Sequence, residues 1–181
     1  MAARRLAQLL NGRGRVAVIA VAPGSASTTE RERGFQETLT RDFPGLSVVA
    51  LQYGMSDRAR SMAVSEDTLS AHPDLDGIFA SNESSAVGAA QAVKSRGLAG
   101  KVKLVGFDSS PSLVEDLKAG VIDSLVVQNP YRMGYEGVKT ILDHLAGRTP
   151  PRKIDSGALL VTREDLEKPE VQKLLNPPLK F

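Results

Sequence analysis

Four side chains in this 181-residue sequence combine rich hydrogen-bonding capacity with one kind of position. Arg31, Asn82, Asp108 and Gln128 each lie on the chain leaving a short apolar run. Arg offers a planar fork of donors, Asp accepts two hydroxyl protons, and Asn and Gln do both. Such a mixture suits an uncharged, polyhydroxylated ligand. Around them stand further polar residues of the same junctions: Ser25, Ser27 and Thr28, Tyr53 and Ser56, Glu83, Ser109, and Asn129. Each of the four also has an ordinary structural role available. Arg31 could be a solvated first-turn helix residue. Asn82 could be the N-cap of the helix after it. Asp108 could cap the helix starting near Ser110 and favour its positive end. Gln128 could be a polar strand terminus. Their shared position, not any one of them, points to a site.

The elements that must position them alternate strictly. β-Branched or apolar runs at 16–22, 46–52, 77–80, 102–106, 123–127 and 158–162 read as buried strands. Helical spacing is expected over 29–42, 57–71, 83–95, 110–119 and 131–146, with a short amphipathic helix before Asn11-Gly12 and a small helical patch at 170–175. His72-Pro73 stops one helix, and Gly120 and Gly147 end two others. Ala86, Gly88, Ala89, Ala90 and Val93 let the 83–95 helix lie close to a sheet. Strand–helix alternation predicts an α/β fold with a parallel sheet covered by helices on both faces, a single doubly wound, three-layer lobe of Rossmann-like or flavodoxin-like form spanning 1–181. In such open sheets ligands bind beyond the carboxyl ends of the strands, where the four residues fall.

Composition narrows the function classes. Net charge is +2, from 23 Lys and Arg against 21 Asp and Glu, with no long basic block, so nucleic-acid binding gains no support. No cysteine is present, which removes disulfides and thiolate chemistry. The two histidines give little material for catalysis or metal binding: His72 reads as a structural helix-end residue, and His144 has no second ligand at useful spacing. The pair Glu115 and Asp116 reads as solvated. Ala22-Pro23-Gly24-Ser25 lacks the glycine spacing of a dinucleotide loop and the Gly-Lys-Ser/Thr ending of a P-loop. No cofactor, metal or catalytic residue is expected. No apolar run approaches the roughly 18 residues of a membrane span. The first residues do not read as a signal peptide, so the chain as written would stay in the cytoplasm.

The combined motifs resemble the C-terminal half of the ribose-binding-like receptors, the type I periplasmic sugar-binding proteins of ABC transporters, and are related to the effector domain of the lac repressor group. The resemblance runs from about residue 4 to the end. It is carried by Thr29-Glu30-Arg31-Glu32-Arg33-Gly34-Phe35, Ala71-His72-Pro73-Asp74, Ile78-Phe79-Ala80-Ser81-Asn82-Glu83, Val105-Gly106-Phe107-Asp108, and Val127-Gln128-Asn129-Pro130 with Gly134 and Gly137. It implies that Arg31, Asn82, Asp108 and Gln128 are sugar-hydroxyl ligands, the arginine standing three residues before Gly34-Phe35. The stretch 160–166 and Pro169-Glu170-Val171 is more similar to the transporter receptors than to the repressors.

The receptor branch implies a non-enzymatic sugar- or polyol-binding component, a periplasmic setting and an ABC transporter permease as partner. The alternatives are the effector domain of a lac repressor-like regulator, or a fragment with no binding of its own. Such receptors close two lobes around a ligand, and the N-terminal lobe is missing from this sequence. The family often has an aromatic ring near Ser56; here the nearest is Tyr53. In the family, 131–147 crosses to the other lobe. Here its apolar stripe of Tyr131, Tyr135, Val138, Ile141, Leu142 and Leu145 is expected either to pack back on the sheet or to swap into a second chain, giving a homodimer.

Overall fold

A computed structural model describes residues 1–177. In chain order the elements are α1 (Ala2–Leu9), β1 (Gly14–Ala20), α2 (Ala26–Asp42), β2 (Leu46–Tyr53), α3 (Arg58–Ala71), β3 (Gly77–Ala80), α4 (Glu83–Ser95), β4 (Lys103–Phe107), α5 (Pro111–Lys118), β5 (Ser124–Gln128), α6 (Pro130–Leu145), β6 (Ala158–Val161) and α7 (Pro169–Leu175), with a 3-10 turn at Arg163–Asp165. Asn176-Pro177-Pro178 reads in the sequence as a loose end, and it falls partly outside the described residues, which stop before Pro178.

The strands form one sheet in the order β2-β1-β3-β4-β5-β6. The first five are parallel, as each intervening helix requires a crossover. β6 departs from the expected all-parallel sheet: it runs antiparallel to β5, with Ala158 opposite Gln128 and Val161 opposite Leu125. The cause is α6. It does not cross the sheet, so the chain leaves at the carboxyl end of β5 and returns to that same end.

Alternation along the strands sorts two cores. Val16, Val18 and Ala20 of β1, with Phe79, Val105 and Phe107, face Ala3, Leu6, Phe35 and Leu39 of α1 and α2. Ala17 and Ile19 face the other way, with Ile78, Leu104 and Leu125, toward α3, α4, α5 and α7. This is the three-layer doubly wound lobe predicted. α4 packs tightly against α3. Its Gly88 lies against Ser61 and Met62 of α3, where an added Cβ would stand 2.5 Å from the Met62 nitrogen.

Two expectations for charged side chains fail. Asp116 is not solvated: it is 9% exposed and accepts a 2.8 Å bond from Lys94 Nζ on α4, while Glu115 beside it is exposed. α5 is capped by Ser110, whose hydroxyl takes the Leu113 N–H, so Asp108 is not its cap. His72 does sit at the end of α3, its Nδ1 3.3 Å from the Arg15 guanidinium.

α6 stands apart from the rest. None of its residues is buried, and every member of its apolar stripe is exposed, Leu145 at 76%. It does not pack back on the sheet. Past it, Asp165 closes the 3-10 turn by accepting from the Thr162 N–H and hydroxyl at 2.9 and 2.8 Å. Its bonds to Lys168 and Thr162 hold its carboxyl down to about 2.

Candidate functional site

The strand order places a topological switch between β1 and β3. The connection from β1 runs through α2 to β2 on one side, and the chain later continues from β3 through α4 to β4 on the other. Helices on opposite faces diverge at such a point and leave a crevice at the carboxyl ends. α2 is tied there by its first two turns. Its N-cap, Ser25, uses its carbonyl to accept the Thr28 hydroxyl at 3.2 Å. Arg31 follows in the second turn and reaches inward.

Arg31 is held at two points. Its guanidinium donates to the Ser81 carbonyl, just beyond β3, and its Cζ lies 3.4 Å from the centroid of the Phe107 ring at the end of β4. A guanidinium over an aromatic face is attracted by the ring quadrupole, more so where water is thinned out. Burial pulls the Arg31 pKa below its ordinary value, while the negative charges of Asp108 and Glu32 push it back up. Asp108 follows Phe107 and adopts φ +69°, a left-handed conformation that Asp tolerates better than most residues. Its Oδ1 accepts from Gln128 Nε2 at 2.6 Å, across from β4 to β5. Arg31, over the ends of β3 and β4, and the hydrogen-bonded Asp108–Gln128 pair, across the ends of β4 and β5, thus stand along one line of strand ends, with no direct bond between Arg31 and Asp108 among the described residues.

Asn82 sits next to this line, directly after Ser81. Its Oδ1 accepts the Ser85 N–H at 2.9 Å, so it is the N-cap of α4. Its Nδ2 makes no hydrogen bond among the described residues. The capping role uses Oδ1 alone. Glu83 pairs with Arg58 of α3 at 2.6 Å. Asn129 caps α6 by accepting the Arg132 N–H at 2.9 Å. Tyr53 is the last residue of β2 and half-buried, packed with the α1–α2 core. Ser56 is exposed and, with Met55, adopts φ +56°.

Beside the Arg31–Phe107 stack a cavity of about 300 Å³ opens, lined also by Phe35, Phe79, Val126 and Ala158. That volume is at the low end for a small-ligand site; its polar lining is Glu30, Arg31 and Thr38, and of the four candidate residues only Arg31 borders it, Asn82, Asp108 and Gln128 lying outside. Sequence reasoning missed three contributors to this rim. Phe107 and Ser81 lay inside motifs already singled out, but their roles depend on contacts with a helix residue 50 or more positions away. Glu32 could have been found: Thr28, Glu32, Phe35 and Leu39 fall on one helical face, and all four are buried. A carboxylate in that stripe was the signal. Among the described residues no group of His, Cys, Asp and Glu is arranged to hold a metal ion. No helix there is long and apolar enough to cross a membrane.

Comparison with known proteins gives the family and the fold. Residues 1–149 match the periplasmic binding protein domain family. The chain is 34% identical over 140 residues to a D-ribose/D-allose-binding protein of Pseudomonas aeruginosa, covering 76% of this chain and 43% of that protein. It is 34% identical over 130 residues to a D-allose-binding periplasmic protein of Escherichia coli, covering 72% and 42%. Among solved structures, an ABC transporter solute-binding protein from Agrobacterium vitis bound with alpha-D-tagatopyranose superposes with a TM-score of 0.93 at 34% identity, covering 96% of this chain and 58% of that one. A carbohydrate transporter solute-binding protein from Agrobacterium radiobacter in complex with D-arabinose gives 0.93 at 38%, covering 97% and 61%. The chain spans about half the length of the curated relatives it matches. On the matched family and the shared fold, it belongs to the periplasmic binding protein domain family, a family of sugar-binding transport proteins and not of enzymes.

Proposed function

We propose that this chain is the C-terminal lobe of a sugar receptor and supplies one wall of a cleft for a neutral monosaccharide or polyol. One observation carries the proposal: a line of polar groups, the Arg31 guanidinium held at the Ser81 carbonyl and the hydrogen-bonded Asp108–Gln128 pair, lies at the carboxyl ends of β3, β4 and β5, with Asn82 following Ser81. The line offers a cation, a carboxylate and amide groups but no nucleophile–base pair. It can bind hydroxyls and has nothing with which to transform them. By its family, the whole receptor works in the periplasm and delivers its sugar to an ABC transporter permease. The regulator alternative has no observation in its favour.

One lobe buries a ligand on one side only, so binding is weak. A thermal-shift screen with pentoses, hexoses and polyols at millimolar concentration is expected to raise the melting temperature by about 3 °C for at least one of them, as mass action on the folded state requires. No shift with any sugar in the panel would leave the fold standing and remove the binding function.

The exposed stripe of α6 favours a second copy as its cover. Exchange of this helix between two copies of the chain hides Tyr135, Val138, Ile141 and Leu145, all exposed in the single chain. Light scattering is expected to give a dimer, and Ile141→Glu with Leu145→Glu a monomer. A parent chain that is monomeric at all concentrations would remove the exchange.

A further inference from the structure

We propose that Glu32 is a positioning residue for Arg31, locking the arginine in its binding pose through Ser81. The inference rests on the reading of the rim as a sugar site. Glu32 is 5% exposed and lies among apolar neighbours on the inner face of α2, next to Phe35 and Leu39. A buried carboxylate is costly unless hydrogen-bonded, and for packing alone an apolar side chain of similar volume would serve as well or better. Its bonds show what it does. Oε1 accepts the Val21 N–H at 3.1 Å and the Ser81 hydroxyl at 2.7 Å. Val21 is the residue just past the end of β1, and Ser81 the residue just past the end of β3. One carboxylate oxygen therefore fastens α2 to both strand ends at the switch point.

Ser81 is fully buried, and its own carbonyl is the acceptor for the Arg31 guanidinium. Glu32 fixes the hydroxyl of Ser81, the fixed residue presents its carbonyl, and the carbonyl holds Arg31 against the Phe107 ring. Arg31 and Glu32 are consecutive on one rigid helix, so the loop closes on itself. Restraining a long side chain before a ligand arrives removes an entropy cost that binding would otherwise carry. The negative charge of Glu32 also favours the charged form of the half-buried guanidinium.

The test reads Arg31 directly in the unliganded chain. Protons of Arg31 lying over the Phe107 ring have ring-current-shifted resonances, identified by their loss in Arg31→Lys. In Glu32→Gln, which keeps the acceptor oxygen, the shift is expected to persist. In Glu32→Ala and in Ser81→Ala it is expected to collapse toward the position of exposed arginines while the rest of the spectrum stays dispersed. Should Glu32→Ala not fold, Ser81→Ala decides, because it removes one oxygen from a buried site. Unchanged Arg31 resonances in the folded variants would overturn the proposal. With D-ribose or D-arabinose as probe, Glu32→Ala is expected to weaken binding about tenfold, and to have no further effect once Arg31 is alanine, as a cycle through one shared contact requires. An equal loss in the Arg31→Ala background would also overturn it. If the parent chain responds to no sugar, the sugar site falls, and the Arg31 resonances still decide the role of Glu32.

Discussion

Gly88→Ala is expected to destabilise the fold by about 3 kcal/mol. On helix propensity alone the substitution should help, since alanine exceeds glycine in a helix interior by about 1 kcal/mol. Contact geometry decides against it. The new Cβ would lie 2.5 Å from the Met62 nitrogen, 2.5 Å from Ser61 Cβ and 2.7 Å from the Ser61 carbonyl carbon. Two of these are backbone atoms of α3, which cannot turn aside as a side-chain tip can. The helices must separate, and the packing of α3 and α4 over the sheet separates with them. Ser61 stands at the same contact: its buried Oγ has no hydrogen-bond partner among the described residues, and a Cβ added at Gly54 would lie 2.0 Å from it. Gly34→Ala on α2 is the control with the opposite sign. Nothing stands within 4 Å of its added Cβ, so propensity alone acts and stability rises by up to about 1 kcal/mol. Urea unfolding of the two variants checks both. Equal effects would show that helix propensity, and not the α3–α4 contact, controls position 88.

That small-residue helix was also among the most legible parts of the sequence. β3 and α4 have the bounds predicted, because Gly77 opens a short apolar run and Asn82 follows it with an N-cap signal. α2 begins three residues earlier than predicted. Ala26, Ser27 and Thr28 carry no apolar periodicity, and only the turn Pro23-Gly24 before them marks the start. The direction of β6 was not legible. A strand pattern fixes what is buried, but direction depends on where the connection lands, and α6 leaves the sheet instead of crossing it. Asp116 was misread for a related reason: its partner Lys94 is on another helix, and surface spacing along α5 cannot reveal it. The candidate residues were found by a positional rule about strand ends. Their mutual contacts were not, because Arg31 to Ser81 and Asp108 to Gln128 join separate βα units.

Asp108 provides the sharpest separation of stability from binding. At φ +69° a residue with a Cβ is strained by about 1 kcal/mol, and glycine is not. Asp108→Ala keeps the strain and loses the acceptor for Gln128. Asp108→Gly loses the same acceptor and relieves the strain, so it is expected to melt about 3 °C above the alanine variant. Asp108→Asn tolerates the backbone and keeps an oxygen for Gln128, but it removes the charge that faces Arg31. If the carboxylate grips sugar hydroxyls, affinity follows a different order from stability. Hydrogen bonds to a charged group contribute up to about 3 kcal/mol, so alanine and glycine are expected to weaken sugar binding about 100-fold alike, with asparagine between them and the parent. Titrating the responsive sugar against all four proteins, with melting curves on the same samples, separates the two orders. Binding that tracks melting temperature across the series would make Asp108 a structural residue of the β4–α5 turn. Unchanged binding in all three variants would place the ligand away from this carboxylate. Loss of binding in the glycine variant despite its higher melting temperature is the result expected of a side chain kept in a strained backbone for what it touches.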